Sequence, residues 1–466
     1  MNTKDTIVAL ATAQGSGAIA VIRLSGNEAI EIADRIFKPY HKGNLADAPT
    51  HSVHLGVLKD NDRIIDECLA TLFKENKSYT GEPTVEFSCH GSSYIIQEVL
   101  KICISKGCRL AQAGEFTQRA FLNGKLALSQ AEAVADLIAS DNQATHQVAI
   151  NQMRGGFTQL IQGLRQELLN FASLIELELD FAEEDVEFAD RSQFKALLQK
   201  IDRTIEELVA SFSVGNVIKN GIPVAIIGKP NAGKSTLLNA LLNEERAIVS
   251  DIAGTTRDTI EEVLHINGTA FRLIDTAGIR ETTDQIEEIG VQKAIEKIEK
   301  ARILLYLYDE NDSEVNEICE FIQKIHRSDL KIFLIKTKIA LSSAEFSLFD
   351  EKLKQNLVPT YTDMILGISA KEGTNIPLLR EELSTYAEQM TSSGGSTIIT
   401  NVRHCEALRN AQNEIHKIQN GLSEGISGDL LAIDIRQALY HFGEITGEIT
   451  NDEILGNIFS KFCIGK

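Results

Sequence analysis

The chain has 466 residues, a net charge of −20 and 43% hydrophobic residues. That length is too great for one core and calls for roughly two or three domains, and no apolar run reaches the length of a membrane span. The acidic balance disfavours indiscriminate nucleic-acid binding, while leaving room for a local basic patch or a basic partner.

Seven cysteines, scattered and odd in number, contain no CxxC pair. That usage points to reduced thiols and a cytoplasmic location. Lys4 and Asp5 run straight into a strand-like segment, Ile7 to Leu10, which is not the pattern of a secretory signal.

From the N-terminus to about residue 120, strand and helix signals alternate. Thr6–Ala11, Gly17–Leu24, His51–Leu58, Asp66–Phe73 and Thr84–His90 read as strands; Glu28–Phe37 and Ser92–Lys106 read as amphipathic helices. The mixture implies an α+β domain over 1–120. From Gln130 to about Phe212 the spacing is helical, with apolar stripes over Ala131–Ser140 and Leu160–Leu179, giving a helical segment over 121–215. The acidic stretch Glu183–Glu187 reads as a solvated helix end. Gly215–Gly221 reads as a linker.

Residues 216–385 then alternate again. Val224–Ile227, Phe271–Ile274, Ile303–Tyr308, Ile332–Ile335 and Met364–Ile368 are expected strands of a mostly parallel, doubly wound sheet. Ser392–Ser396 is a Ser/Gly linker, and 386–466 returns to helical spacing. Helical texture on both sides suggests one helical domain into which the α/β domain is inserted. The fold class is therefore multidomain, α/β and α.

The stretch that carries chemistry is Gly228-Lys-Pro-Asn-Ala-Gly-Lys-Ser-Thr236, between a strand-like run and a helix-like run, Thr236–Leu242. Strand, Gly-rich turn and helix are the context in which G-x-x-x-x-G-K-[ST] cradles phosphate. Helix N-terminal N–H groups and the dipole favour the anion. Lys234 reaches the outer phosphates and Ser235 offers a hydroxyl to Mg²⁺.

Two loop-like segments follow, Asp251-Ile-Ala-Gly-Thr-Thr-Arg257-Asp258 and Asp275-Thr-Ala-Gly278. They resemble switch I and switch II of Ras-like GTPases, with Thr256 as a second Mg²⁺ ligand, Asp275 holding the metal through water and the Gly278 amide facing the terminal phosphate. Ser369-Ala370-Lys371 resembles the loop whose alanine amide reads guanine O6. One place departs from the pattern. The expected Asn-Lys-x-Asp reads Thr337-Lys338-Ile339-Ala340. Ala340 has no acceptor for the guanine N1–H and N2–H₂ protons, while Lys338 still offers its stem to the base. The glutamine that places water in small GTPases is also replaced, by Ile279. Asn231, at the position where related GTPases bind K⁺, is either a cation ligand or a turn residue.

Taken together with Asp5-Thr-Ile-Val-Ala, Gly114-Glu-Phe-Thr-Gln-Arg-Ala-Phe-Leu-Asn-Gly-Lys125 and the terminal Phe462-Cys-Ile-Gly-Lys466, the whole chain resembles the MnmE (TrmE) family of tRNA-modification GTPases. The resemblance implies a folate-binding N-terminal domain, a central helical domain and an inserted P-loop G domain. It implies a homodimer through the N-terminal domains, and G domains that meet, with K⁺, in the transition state. It implies a heterotetramer with an FAD-bearing partner, MnmG (GidA). Together these act on tRNA, at C5 of the wobble uridine, with a one-carbon tetrahydrofolate.

Carried over residue by residue, the GTP contacts fall on Asn231, Ala232, Gly233, Lys234, Ser235 and Thr236, on Ser250, Asp251, Ile252, Ala253, Gly254, Thr255 and Thr256, on Asp275, Thr276, Ala277 and Gly278, and on Lys338, Ser369 and Ala370. The K⁺ contacts fall on Asn231, Ser250, Ile252 and Thr255, and the water-orienting glutamate on Glu287. Arg257, Asp258 and Arg280 match switch positions. The folate contacts fall on Arg23, Glu86, Lys125 and Lys466. Cys463 is implied as a thiol near the folate, a nucleophile or acid/base. On their residue types alone these have plainer readings: a solvated helix charge for Glu287, loop ion pairs for the switch residues, strand-end and surface charges for the folate set, and a small apolar filler for Cys463. A binding-only regulatory switch and a low-affinity GTPase scaffold are the alternatives to the enzyme.

Overall fold

The computed structural model describes residues 5–180, 190–243, 262–274, 295–339, 347–357, 365–392, 397–450 and 452–466. The chain divides into two compact units, one of residues 1–139, 149–202 and 407–466, the other of 140–148 and 203–406.

The first unit opens with β1 (Ile7–Leu10), β2 (Gly17–Ser25), α1 (Ala29–Ile36), β3 (Phe37–Pro39), β4 (Ser52–Asp60), β5 (Arg63–Phe73), β6 (Thr84–Gly91), α2 (Ser93–Ser105) and β7 (Arg109–Leu110). The strands make one sheet in the order β3-β4-β5-β6-β2-β1-β7, antiparallel except for the parallel β1–β7 pair. Alternation sends Ile22, Leu24, Ala70, Leu72, Val85 and Phe87 to one face, where Ile32 and Ile36 of α1 and Val99 and Ile102 of α2 cover them. Arg23 and Glu86, directly paired across β2 and β6, therefore stand on the opposite face. The helix expected over Glu28–Phe37 stops at Ile36, because Pro39 favours extended backbone at Lys38 and the chain turns into β3.

Helices α3 (Glu115–Leu122), α4 (Leu128–Ala139), α5 (Gln143–Met153), α6 (Gly156–Asp180) and α7 (Arg191–Asn220) follow. The last of these corrects one expectation. Residues 215–220 are not a linker but the final turns of α7. Gly215 is there because a Cβ would lie 2.0 Å from the Ile399 carbonyl oxygen, so glycine lets the chain at Ile399 press on the helix. Gly221, with φ +80°, ends it, as a left-handed residue after a helix does.

The second unit contains β8 (Ile222–Gly228), α8 (Lys234–Asn243), β9 (Glu262–Ile266), β10 (Thr269–Leu273), β11 (Ile303–Tyr308), α9 (Val315–Ile325), β12 (Lys331–Lys336), α10 (Leu348–Asn356), β13 (Ile365–Gly367) and α11 (Ile376–Ser392). Its sheet runs β13-β12-β11-β8-β10-β9 and is parallel except for the β9–β10 hairpin. Leu237, Leu241, Leu379 and Leu383 from α8 and α11 pack on one face. Ile318 and Ile322 of α9 and Leu353 of α10 pack on the other. This is the doubly wound arrangement the alternation implied. Strand β9 had not been expected, although Asn267-Gly268, with φ +47° and +78°, is the tight two-residue turn that signals a hairpin.

The chain closes with α12 (Val402–Glu424), α13 (Gly428–Thr446) and α14 (Asp452–Phe459). Phe459 and Phe462 join Leu128, Ala131 and Leu455 in a small core that fixes the C-terminus against α4.

A charged cluster locks α3 to the N-terminal strand. Arg119, 3% exposed, pairs with Asp5 at 2.7 Å, Glu115 at 3.0 Å and Glu82 at 3.2 Å. Arg109 joins Asp5 and Glu115 at 2.7 and 2.6 Å. The Arg109 hydrogen bond, opposed by burial and helped by Arg119, holds the Asp5 carboxyl below its usual range. Burial pushes Glu115 up, but Arg109, the Gln112 amide and Arg119 together bring it below its ordinary value. Both carboxylates therefore add stability above their ordinary values of 3.8 and 4.5, and that stability is lost as pH falls through the lower folded values. Arg119→Met removes the buried cation from Glu82 and one of two cations from Asp5 and Glu115, which Arg109 still pairs, and is expected to cost about 1.5–3 kcal/mol. A clear drop in melting temperature at pH 7, shrinking towards pH 3, is the expected readout; an unchanged melt would refute it.

Candidate functional sites

The phosphate cradle lies at the carboxyl end of β8, in the crevice where open α/β sheets take ligands. Gly228 lies so close to β11 that a Cβ would sit 2.5 Å from the Leu307 carbonyl oxygen. Asn231 and Gly233 have φ of +61° and +91°. Left-handed residues within such a loop turn successive backbone N–H groups inward, forming an anion-binding concavity. Lys234 opens α8, and its Nζ donates to the carbonyls of Gly228 and Lys229 at 2.7 and 2.8 Å. Burial, with the charge of Lys297, lowers its pKa. The ammonium is thus held over the loop by two weak neutral acceptors that a phosphate oxygen can displace. Ser235 and Thr236 follow on the first turn of α8. The donor set suits a nucleotide triphosphate with Mg²⁺ on Ser235.

The adjoining edge of the sheet is formed by the ends of β11, β12 and β13. Thr337 is buried; its N–H and hydroxyl both donate to the Tyr308 carbonyl, at 2.9 and 3.2 Å. Lys338 follows with φ +60°. Lys336, one residue before, is tied to Glu310 and Asp350 at 2.7 and 3.1 Å, and Tyr308 donates to Asp350 at 2.9 Å, so the strand end is rigid. Ser369 and Thr374 exchange both backbone hydrogen bonds at 3.1 Å, and Asn375 donates to the Gly367 carbonyl at 2.8 Å. That closed loop presents Ala370 beside the same edge. The structure therefore brings Asn231–Thr236, Lys338, Ser369 and Ala370 to one edge of one sheet. Ser250, Asp251, Ile252, Ala253, Gly254, Thr255, Thr256, Arg257, Asp258, Asp275, Thr276, Ala277, Gly278, Arg280, Glu287 and Ala340 lie outside the described residues.

A second site lies in the other unit. Arg23 Nε donates to Glu86 Oε1 at 2.6 Å, and the guanidinium lies over the rings of Tyr79 and Phe116 at 5.7 and 5.4 Å. Tyr79, whose pKa is raised by burial against the opposing effects of Thr117 and Arg23, exchanges a hydrogen bond with Thr117 at 2.9 Å. Lys125 is exposed and donates to the Asn76 carbonyl at 3.1 Å, at the foot of the loop that carries Tyr79. The C-terminal tail docks beside them. Ile464 bridges Ala113, the Gly114 amide donates to Cys463 O at 3.3 Å, and the Phe116 amide donates to Lys466 O at 3.2 Å. Arg23, paired with Glu86, thus lies over Phe116 and Tyr79, the Lys466 backbone meets the Phe116 amide, and Lys125 reaches the loop that carries Tyr79 through Asn76. Cys463 is exposed while the other cysteines are buried, so it is not an apolar filler. The sequence reading had not picked out Tyr79, Phe116 or Asp309. For Asp309 a signal was present, a charged residue at the carboxyl end of an all-apolar parallel strand.

Fold and cradle together define a P-loop nucleotide-binding protein with a separate N-terminal α+β unit. The family model "GTP-binding protein TrmE N-terminus" matches residues 6–125, and "MnmE helical domain" matches 128–463. Proteins named tRNA modification GTPase MnmE are similar along the full length: that of Christiangramia forsetii is 57% identical over 100% of both chains. Those of Flavobacterium psychrophilum and Flavobacterium johnsoniae are 54% and 55% identical, over 99% of both chains and 100% of both chains respectively. The chain belongs to the MnmE family.

Proposed function

We propose that this chain is a K⁺-dependent GTP hydrolase that acts in tRNA modification. With an MnmG-type FAD-bearing partner it helps add an aminomethyl or carboxymethylaminomethyl group at C5 of the wobble uridine, drawing on a one-carbon tetrahydrofolate. The carrying observation is the cradle: left-handed Asn231 and Gly233, with the Lys234 ammonium poised over the loop.

In this reading Lys234 and the α8 N-terminus hold the phosphates, and Ser235 and Thr256 hold Mg²⁺. Asn231, with Ser250, Ile252 and Thr255, would hold K⁺, which would supply positive charge beside the phosphates. Glu287 orients the attacking water through a second water. Arg23, Glu86, Lys125 and Lys466 hold the folate: a carboxylate suits the N–H edge of a pterin, and cations suit the glutamyl tail. Cys463 acts beside it. Residues 1–120 serve folate binding and dimerisation, 216–385 serve GTP turnover, and 121–215 with 386–466 form the two parts of the helical scaffold. The working assembly is a homodimer joined by MnmG into a heterotetramer.

The test is phosphate release from GTP in K⁺ against Na⁺ buffer, with the parent chain and Asn231→Ala. Turnover is expected to fall at least about tenfold in Na⁺ and to lose its cation dependence in the variant. Equal rates in both buffers refute the K⁺ mechanism. Ala340 makes a second expectation. Restoring the missing acceptor with Ala340→Asp should sharpen preference for GTP over inosine triphosphate by about ten- to a hundredfold, the worth of a charge-assisted contact. A competition assay measures it, and equal discrimination by the two proteins counts against it.

A further inference from the structure

The Lys338 ammonium lies 2.9 Å from Asp309 Oδ2. The two side chains differ sharply in exposure, 54% for Lys338 and 11% for Asp309. Asp309 is itself anchored: its Oδ1 accepts from the Asn311 amide and from Asn311 Nδ2, both at 3.0 Å, and its carbonyl accepts from the Asp312 amide at 3.0 Å. The loop after β11 thus presents one committed oxygen inward and aims the other at Lys338. The backbone under Lys338 is equally fixed. Thr337 is pinned twice to Tyr308 O, and a Cβ on Gly233 would lie 3.9 Å from the Thr337 Cβ, so Lys338 emerges directly beside the cradle.

We propose that Asp309 is a positioning residue for the nucleotide base, holding the Lys338 ammonium so that the lysine stem forms one wall of the base pocket. The inference rests on the reading of the cradle as a GTP site. An exposed lysine has more rotamer freedom to lose than almost any side chain, and binding that depends on its stem must order it. The ion pair does that ordering before the nucleotide arrives. Position 340, where the sequence motif would place a carboxylate close to this lysine, is alanine. Asp309, from the neighbouring strand, is the carboxylate paired with Lys338 among the described residues.

The test is titration of the full-length chain with ribose-labelled fluorescent GDP, using Asp309→Asn, Lys338→Met and the double variant. Asparagine preserves the acceptor for Asn311, and methionine preserves an apolar stem without the charge. Asp309→Asn is expected to weaken binding about two- to fivefold, as loss of an ordering ion pair allows. It should add nothing in the Lys338→Met background, raise KM for GTP and leave kcat unchanged; Asp309→Glu should recover part of the loss. Parent-like binding by Asp309→Asn, or a loss that persists undiminished in the Lys338→Met background, overturns the proposal. Lys234→Ala serves as the control. If labelled GDP binds equally well to that variant, the cradle reading fails and the proposal falls with it. If binding depends on Lys234 but not on Asp309, only the proposal fails.

Discussion

Lys234→Ala is expected to lower kcat for GTP hydrolysis by about 10²–10³, the loss seen when one preorganised group facing a developing charge is removed. The expectation follows from how the lysine is held. Its ammonium is half-buried at the start of α8 and is satisfied by two carbonyls of the loop itself, those of Gly228 and Lys229. Burial and Lys297 already disfavour its charged form. A cation kept in such a place gains most when a polyanion enters, and the gain is largest when charge builds on the phosphate being transferred. Alanine removes the charge and two hydrogen bonds to the loop, while the left-handed turns at Asn231 and Gly233 that shape it remain. Phosphate release and labelled-nucleotide binding, measured together, check this: turnover should collapse while the melting temperature stays within a few degrees. A variant that hydrolyses GTP at the parent rate would mean that the loop is not the catalytic cradle.

The parts of this site that could be read in the sequence share one property: they depend on local chain geometry. A Gly-rich turn between a strand and a helix is fixed by its own φ angles, and Asn231 and Gly233 adopt the left-handed backbone that such a turn requires. The parallel strands were legible for the same reason, as uninterrupted apolar runs such as Ile303–Tyr308. What the sequence did not disclose depends on partners distant in the chain. Gly215 looked like a break because a glycine in a helix usually weakens it. Its role became visible only with Ile399 against it, 184 positions later in the numbering (399 − 215). Asp309 drew no assignment from the sequence, because its partner Lys338 comes from the end of the neighbouring strand. The residues proposed to hold folate are scattered from Arg23 to Lys466, and no local pattern announces that Tyr79 and Phe116 sit beneath one guanidinium. The hairpin β9–β10 is the exception. Its Asn267-Gly268 turn was in plain view, but the short strand before it, with His265 and Glu262, lacks a clean apolar run.

On the proposed folate site, Gly465→Val is expected to weaken folate binding while leaving GTP hydrolysis untouched. Gly465 has φ +99°, a backbone region that valine resists, and a Cβ would lie 2.1 Å from the Leu10 carbonyl oxygen. The tail cannot stay docked with a side chain there. Undocking removes the Ile464–Ala113 bridge and the hydrogen bond from the Phe116 amide to Lys466 O, and so releases the C-terminal lysine from Phe116. Losing the C-terminal charge from the proposed folate site should weaken 5-formyltetrahydrofolate by about tenfold. The cradle belongs to the other compact unit, so phosphate release should match that of the parent. Lys466→Ala separates the contributions. It keeps the docked backbone and loses only the ammonium, so its folate affinity should fall between those of the parent and Gly465→Val. If Gly465→Val binds folate as tightly as the parent, the tail is not part of the pocket. If both activities fall together, the valine has damaged the fold rather than the site, and a melting curve will show it.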